Sequence, residues 1–133
     1  MEIPRLDKPI AFVVPWYGDD IAGGAERLCR EYVRRLALAG VAVEVLTTCA
    51  RDFASNWNKD YHRQQTVRLG DVMLRRFPVR KRNSQQFDVV NFKLLNNLRV
   101  TAYEEHLFFF ESIRSEELEI FLLNRGRDYH LIF

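Results

Sequence analysis

Two adjacent glycines, Gly23 and Gly24, stand between an apolar run and a long amphipathic segment, and Ala25 and Glu26 follow them. The first N–H groups of a helix have no intrahelical partner, and the aligned peptide dipoles place about half a positive charge there. Glycines leave these groups uncovered, so a phosphate or a sugar can approach the backbone. Residues 23–26 are therefore a candidate contact for an anion or a carbohydrate. A tight strand-to-helix turn without a ligand is the alternative.

Aromatic and charged side chains offer further candidate contacts. Trp57 and Tyr61 lie in a polar stretch and could stack on a sugar ring, with simple anchoring of the loop as the alternative. Arg75 and Arg76 are neighbours on a predicted strand and therefore face opposite sides, so only one of them can contact a given ligand. Glu26 is either a ligand contact or an acid that stabilises the first turn of a helix.

Basic residues concentrate between residues 68 and 82. The whole chain has 20 Lys and Arg against 18 Asp and Glu, a net charge of +2, which is too small for a general polyanion binder. The segment 68–82 has six basic residues and one acid, and it predicts either a solvated face or a surface that binds anions or nucleic acid. Its basic residues are Arg68, Arg75, Arg76, Arg80, Lys81 and Arg82.

Cysteines and histidines are not spaced as metal ligands. Cys29 and Cys49 are accompanied by no CxxC motif and no Cys/His cluster, so we expect reduced thiols and no bound metal. Residues 1–9 lack the basic start and apolar run of a signal peptide, and no apolar run is long enough for a membrane span. A cytoplasmic protein is expected, with a peripheral contact at the inner membrane face as an additional hypothesis.

The hydrophobic pattern predicts the elements that position these residues. Residues 10–14 form an apolar run between two prolines, as in a buried strand. From residue 25 apolar residues recur at helical spacing until Gly40, which is typical of the left-handed position after a helix. Residues 41–46 resume a β-branched apolar pattern, which completes a βαβ unit with parallel strands. The helix is expected to bury Ala25, Leu28, Cys29, Tyr32, Leu36 and Ala39.

The second half of the chain continues the α/β pattern. The apolar stretch 107–110 is expected in the core, with packing of part of it on missing segments or on a second copy as the alternative. We expect residues 1–133 to be one partial domain of a longer α/β protein, because a parallel sheet needs both faces covered and the sequence stops in an apolar strand. The free edge of that strand could pair with a second copy. The prediction is a loop over 49–71, a strand over 72–79, helices over 87–98 and 103–123 with a division at Ser115, and a strand over 129–133.

The order of these motifs resembles the opening of a retaining glycosyltransferase of family 4, which has the two-domain GT-B fold. The GGAER turn leads into the amphipathic helix, and LALAGVAVEVLTT follows as the end of the helix and the second strand. Later pieces agree, namely W-N-x-x-Y at 57–61, G-D-V-x-L-R-R-F-P-V at 70–79 and R-x-Y-H-L-I-F at 127–133. In the last piece His130 stands where the family often has an acid.

The resemblance implies a Rossmann-like N-terminal domain, on the side of the enzyme that holds the acceptor. Residues 23–26 would lie at the cleft between the domains, near the diphosphate and the sugar of a nucleotide-sugar donor. The sugar would be transferred with retention, without a metal or another cofactor, to a carbohydrate or lipid-linked acceptor. The nucleotide-sugar-binding C-terminal domain would follow residue 133, so no catalytic residue is expected here and the fragment alone would be inactive. The candidate acceptor contacts are Trp57, Tyr61 and Arg76.

An NAD-linked oxidoreductase is a further alternative that the sequence weakens. The loop before the first helix has no GxGxxG motif, and a dinucleotide site also needs an acidic residue at the end of the second strand. That end reads Thr47, Thr48, Cys49 and Ala50, and the first acid is Asp52.

Overall fold

Residues 5–133, the part that the computed structural model describes, fold into five β-strands, four α-helices and one 3-10 helix. The first four residues of the segment considered for a signal peptide lie outside this description. In chain order the elements are β1 (Ile10–Val13), α1 (Gly24–Leu38), β2 (Val43–Thr48), β3 (Gln65–Leu69), β4 (Val72–Phe77), α2 (Ser84–Leu95), α3 (Ala102–Phe110), α4 (Glu116–Arg125), the 3-10 helix (Gly126–Asp128) and β5 (Leu131–Ile132).

The strands form one mixed sheet in the order β3-β4-β2-β1-β5. β1 pairs in parallel with β2 and β5, and β2 pairs in parallel with β4. β3 is antiparallel to β4. The predicted α/β class and the mostly parallel sheet are confirmed, and the arrangement is compatible with a Rossmann-like fold.

One face of the sheet is covered by α1. Val33 of α1 is buried against alternate residues of β1, β2 and β4, which is the side-chain pattern of a strand with one face toward the helix. The apolar side chains of this layer remove a large area from water, which is the main stabilising term for such a core. The buried residues of this cluster are Ile10, Phe12, Val33, Val41, Val43, Val45, Val72 and Leu74.

The predicted helix at α1 is confirmed, but its predicted buried face is confirmed only at Cys29 and Leu36. Val33 is the buried residue of α1, whereas Leu28 and Tyr32 are more than half exposed. Cys29, Leu36 and Ala37 pack against the core beside Val33. The apolar residues of α1 extend over more than one helical stripe, so spacing alone did not select the stripe that meets the sheet.

The opposite face of the sheet is covered by α4. Leu118 packs on Ala11, Leu46 and Tyr129, and Phe121 packs beside them. The predicted division of the 103–123 helix is confirmed, because Ser115 is the N-cap of α4 and its hydroxyl accepts a hydrogen bond from the Leu118 N–H at 3.3 Å.

A third cluster lies outside the two layers. It joins Trp16 and Ile21 of the β1–α1 loop to Trp57 of the β2–β3 loop and Phe87 of α2. Phe108 of α3 packs against it, and its ring stacks on Phe87 with centroids 5.0 Å apart. The expectation that residues 107–110 belong to the core is wrong for Phe109 and Phe110, which are exposed.

The predicted loop over residues 49–71 is wrong at its end, because residues 65–69 form the edge strand β3. Four of its five residues are exposed, so the strand lacks the apolar alternation that reveals a half-buried strand. A tight turn at Gly70, whose φ is 59°, joins β3 to β4. The predicted strand over 129–133 is present as β5, which is two residues long.

Candidate functional site

The loops that carry the candidate residues meet at one edge of the sheet. The β1–α1 loop and the β2–β3 loop both leave the carboxyl ends of their strands, and β4 ends at the same edge because β2 and β4 are parallel. The chain runs outward from β1 to β2 and β4, and then returns to place β5 on the other side of β1. Ligands of open α/β sheets bind at this edge, where the strand order reverses.

The Gly–Gly pair opens α1 as expected. Gly23 is the N-cap of α1 and has a φ of 134°, a conformation that side chains disfavour. Gly24 is the first helical residue, and a Cβ added to it would meet no atom within 4 Å. The N-cap supplies no side-chain hydrogen bond to the start of the helix. The first turn of α1 is thus open to the surroundings on the side of Gly24.

Glu26 lies beside the Gly–Gly pair and is held in position. The Trp16 Nε1–H donates a hydrogen bond to Glu26 Oε1 at 2.9 Å, and a Cβ on Gly23 would lie 2.0 Å from Glu26 Oε2. The hydrogen bond from Trp16 is the main cause that lowers the pKa of the Glu26 carboxyl. A hydrogen bond from the Glu26 backbone N–H lowers this pKa further. The carboxylate therefore stabilises the helix start. Gly23 is favoured by its φ of 134°, and a side chain there would also displace the Glu26 carboxylate.

The β1–α1 loop is fixed by three further side chains that donate to its carbonyl groups. Thr48 Oγ1 donates to Pro15 O at 2.6 Å, Arg76 Nη2 donates to Tyr17 O at 2.8 Å, and Arg30 Nη1 donates to Ile21 O at 3.0 Å. These bonds come from β2, β4 and α1, so three elements hold the loop. A backbone fixed in this way can bind a ligand with little loss of conformational freedom.

Two grooves flank the carboxyl end of β1. A cleft of about 180 Å³ lies between the β1–α1 loop and the first turns of α1, lined by Trp16, Tyr17, Ala25 and Glu26 among others. A wider groove of about 290 Å³ lies between the ends of β1 and β2 and the start of α4. The smaller cleft brings Ala25 and Glu26 together with the indole of Trp16.

Trp57 and Tyr61 have different environments. Trp57 is 7% exposed, and its Nε1–H lies 3.2 Å from Asp52 O and 3.1 Å from Phe53 O. It anchors the loop, which was the structural alternative for this residue. Tyr61 is exposed, and the Arg51 guanidinium lies 5.0 Å from its ring centroid. Its ring remains accessible to a ligand.

Arg76 is 8% exposed and lies beneath the β1–α1 loop, where its hydrogen bond to Tyr17 O holds the backbone. Burial lowers the pKa of its guanidinium. Its Nη1 atom is buried without a hydrogen-bond partner among the described residues, as is the Oγ1 atom of Thr47, the residue beside it in the sheet. As a candidate acceptor contact, Arg76 is therefore less accessible than Tyr61.

The basic segment 68–82 is largely engaged in internal contacts. Arg75 Nε donates to Glu44 Oε2 at 2.9 Å, on the face of the sheet opposite to Arg76. Arg80 stacks over Phe110 and pairs with Glu111, with N and O atoms 3.6 Å apart. The Arg82 guanidinium contacts two aromatic rings, with its central carbon 4.2 Å from the ring centroids of both Trp57 and Phe87.

The two cysteines are structural in this fold. Cys49 is fully buried just after β2, and burial raises the pKa of its thiol to about 11. Cys29 is half-buried on α1, and burial raises the pKa of its thiol as well. Within residues 5–133 no three His, Cys, Asp or Glu side chains come together as a possible metal site.

Comparison with protein-family models, with curated proteins and with solved structures finds no match to this chain. No helix among the described residues has both the length and the apolar character that crossing a membrane requires. The class that fold and geometry define is an α/β domain with a mostly parallel sheet and a preorganised glycine-containing loop at its carboxyl edge.

Sequence reasoning missed several residues that shape this site. Trp16 fixes Glu26, and Thr48 fixes Pro15. Thr48 ends the LALAGVAVEVLTT segment, but nothing in that segment indicates its contact with the β1–α1 loop. Phe53, which is exposed beside Trp16, was treated only as part of a loop. A signal for Trp16 was present in its position directly after the first strand, where the loops of an α/β site begin.

Proposed function

We propose that the chain is the acceptor-side, N-terminal domain of a retaining glycosyltransferase with the GT-B fold, and that residues 23–26 contact the nucleotide-sugar donor. The observation that supports this most directly is the open space above Gly24. Its φ is not positive, and a Cβ there would meet no protein atom, so the fold itself does not require glycine at this position. A ligand that approaches the helix start does require it.

The contacts around Gly24 suit a substrate that has both an anionic and a hydroxyl-rich part. The dipole and the amides at the start of α1, apart from the Glu26 N–H that already binds the Glu26 carboxylate, favour a negative group such as a diphosphate. The Glu26 carboxylate, which the Trp16 indole holds in place, is an acceptor for hydroxyl groups of a sugar. A nucleotide-sugar offers both parts, and preorganised N–H groups would stabilise the charge that develops on the leaving diphosphate.

The alternative functions are less well supported by the described contacts. Arg75, Arg80 and Arg82 are engaged with acids or aromatic rings of the same domain, and Arg76 is buried, which leaves Arg68 and Lys81 as the more accessible cations of the basic segment. An NAD site would need an acid at the end of β2, where Thr48 instead donates to Pro15 O.

The test measures turnover of a panel of nucleotide-sugars by the full-length gene product, because in this enzyme class a second domain holds the nucleotide. Gly24→Trp fills the open space at the helix start, and Ala102→Trp places the same side chain at the first residue of α3 as a control. We expect one donor to be hydrolysed or transferred by the wild type and by Ala102→Trp, but not by Gly24→Trp, with circular dichroism unchanged.

Two results would count against parts of this proposal. If calorimetry detects no binding of any nucleotide-sugar to the full-length protein, the glycosyltransferase function is contradicted. If a donor is turned over equally well by Gly24→Trp, the enzyme class stands but residues 23–26 are no part of the donor site, and Gly23 and Gly24 then form only a strand-to-helix turn.

A further inference from the structure

Phe53 is a large apolar side chain that the fold holds in an exposed position. It is 71% exposed, although it lies in the β2–β3 loop next to the buried indoles of Trp16 and Trp57. Its ring contacts Trp16 with centroids 6.1 Å apart and Trp57 with centroids 5.7 Å apart, both edge to face. These are favourable aromatic geometries, so the ring has a fixed support on one side and solvent on the other.

The turn that carries Phe53 is also fixed. The Ser55 N–H lies 3.3 Å from Asp52 O, and the Ser55 hydroxyl donates to the same carbonyl at 2.8 Å. The Trp57 Nε1–H donates to the carbonyl groups of Asp52 and Phe53. Because these bonds lie on both sides of Phe53, its backbone is already ordered before a ligand binds. Binding therefore does not carry the entropy cost of ordering this turn.

Trp16 connects Phe53 to the candidate donor site. Its indole contacts the ring of Phe53, donates to Glu26, and lines the small cleft at the start of α1. Phe53 therefore packs on a residue that also lines the small cleft, at the same edge of the sheet. A ligand bound in the cleft would contact Trp16, and Phe53 is the exposed ring next to it.

We propose that Phe53 is a stacking residue for a sugar ring of the acceptor, an inference that rests on the proposed glycosyltransferase function. The C–H groups on one face of a pyranose are apolar and cover an aromatic ring, which removes both surfaces from water. A charged side chain of the same loop, Arg51, could bind a hydroxyl group of the sugar. Arg51 precedes Phe53 by two residues, and its guanidinium lies over the exposed ring of Tyr61.

The experiment is saturation-transfer NMR on the full-length protein with methyl β-glucoside, methyl β-galactoside and methyl α-mannoside as probes. We expect transfer from aromatic protons to the ring C–H protons of at least one glycoside. Phe53→Ala should weaken its binding by about tenfold, the value of one stacking contact. Phe53→Tyr should retain binding, and Phe92→Ala, which removes a ring that is 61% exposed on α2, should leave binding unchanged.

The outcomes separate this inference from the function on which it rests. Absence of transfer to all three glycosides, or equal transfer in wild type and Phe53→Ala, overturns the stacking role. If donor turnover is found but Phe53→Ala leaves it and the acceptor KM unchanged, the enzyme function stands and the role of Phe53 is refuted. If glycosides bind through Phe53 but no nucleotide-sugar binds, Phe53 belongs to a sugar-binding surface. The glycosyltransferase function is then contradicted, whereas the stacking role of Phe53 stands.

Discussion

At the residue scale, the bond between Trp16 and Glu26 makes the start of α1 sensitive to acid. The pKa of Glu26 is lower in the folded chain than its unfolded value of about 4.3. A depressed carboxyl pKa stabilises the fold above the unfolded pKa, and this contribution is lost as the pH falls through the folded pKa. Glu26→Gln keeps an oxygen that can accept from the indole but cannot ionise.

We therefore expect the difference in unfolding free energy between wild type and Glu26→Gln to be constant above about pH 5 and to shrink below it. Urea unfolding followed by circular dichroism across the acid range measures this difference. Comparison of the two proteins removes the titration of the other carboxylates. A difference that does not change with pH would show that the carboxylate charge contributes nothing to the helix start.

Gly23 and Gly24 are neighbours with different physical requirements. A methyl group on Gly23 has to occupy a φ of 134° and would lie 2.0 Å from Glu26 Oε2, so Gly23→Ala should destabilise the fold by about 1–3 kcal/mol. Gly24→Ala meets open space on a helix, and its effect should lie between zero and a gain of about 1 kcal/mol. Urea unfolding of both variants checks this order. Equal losses would mean that residue 24 is also constrained by the protein.

At the element scale, the contribution of the capping box of α3 can be measured at Thr101, while Glu104 also pairs with Lys93 of α2. Thr101 accepts a hydrogen bond from the Glu104 N–H at 3.1 Å, and the Glu104 carboxylate accepts one from the Thr101 N–H at 2.9 Å. Thr101→Ala should cost about 1 kcal/mol, whereas Thr101→Ser should cost little because it keeps the hydroxyl. Thermal unfolding of both variants tests this. Similar losses in both variants would assign the effect to the methyl group of Thr101 instead.

The same scale shows what sequence could predict of the fold. β1 was predicted because it is a continuous apolar run, as in a buried parallel strand. β2 and β4 were predicted from apolar patterns that Glu44, Arg75 and Arg76 interrupt. β3 was missed because an edge strand has few buried positions, and its identity depends on pairing with β4. The predicted face of α1 was wrong in part, because Leu28 and Tyr32 continue the apolar stripe on the side that does not meet the sheet, whereas Cys29 and Leu36 pack on it. Tertiary contacts decided both cases.

The candidate site was predictable only where chain order determines it. The position of Gly23 and Gly24 at the start of α1 follows from a strand and a helix adjacent in sequence. The hydrogen bond between Arg76 and Tyr17 joins residues 59 positions apart, and no local pattern announces it. Trp57 and Phe53 share one loop, yet the fold buries the first and exposes the second. Their separate roles follow from the packing of Trp16 and Phe87.

At the scale of the whole molecule, the third cluster is a separate unit above the sheet. It joins two loops to α2, and its buried residues are not part of the two clusters that cover the sheet faces. Both tryptophans of the chain belong to it, so tryptophan fluorescence reports on this cluster. Far-UV circular dichroism reports on the helices and the sheet. The two signals therefore measure different parts of one molecule.

Because loops contribute most of the third cluster, we expect it to open before the sheet unfolds. Tryptophan fluorescence should change at a lower urea concentration than circular dichroism. Phe87→Leu should shift the fluorescence transition alone to a lower urea concentration. Leu74→Ala, which truncates a buried side chain of the sheet core, should shift both transitions, with a loss of about 2–5 kcal/mol in the free energy of unfolding. Superimposable transitions in the wild type would mean that the cluster and the sheet unfold together. The contacts of Trp16 with Phe53 and Glu26 would then be as stable as the sheet. A ligand that binds either residue would in that case raise the free energy of unfolding of the whole domain, not of the cluster alone.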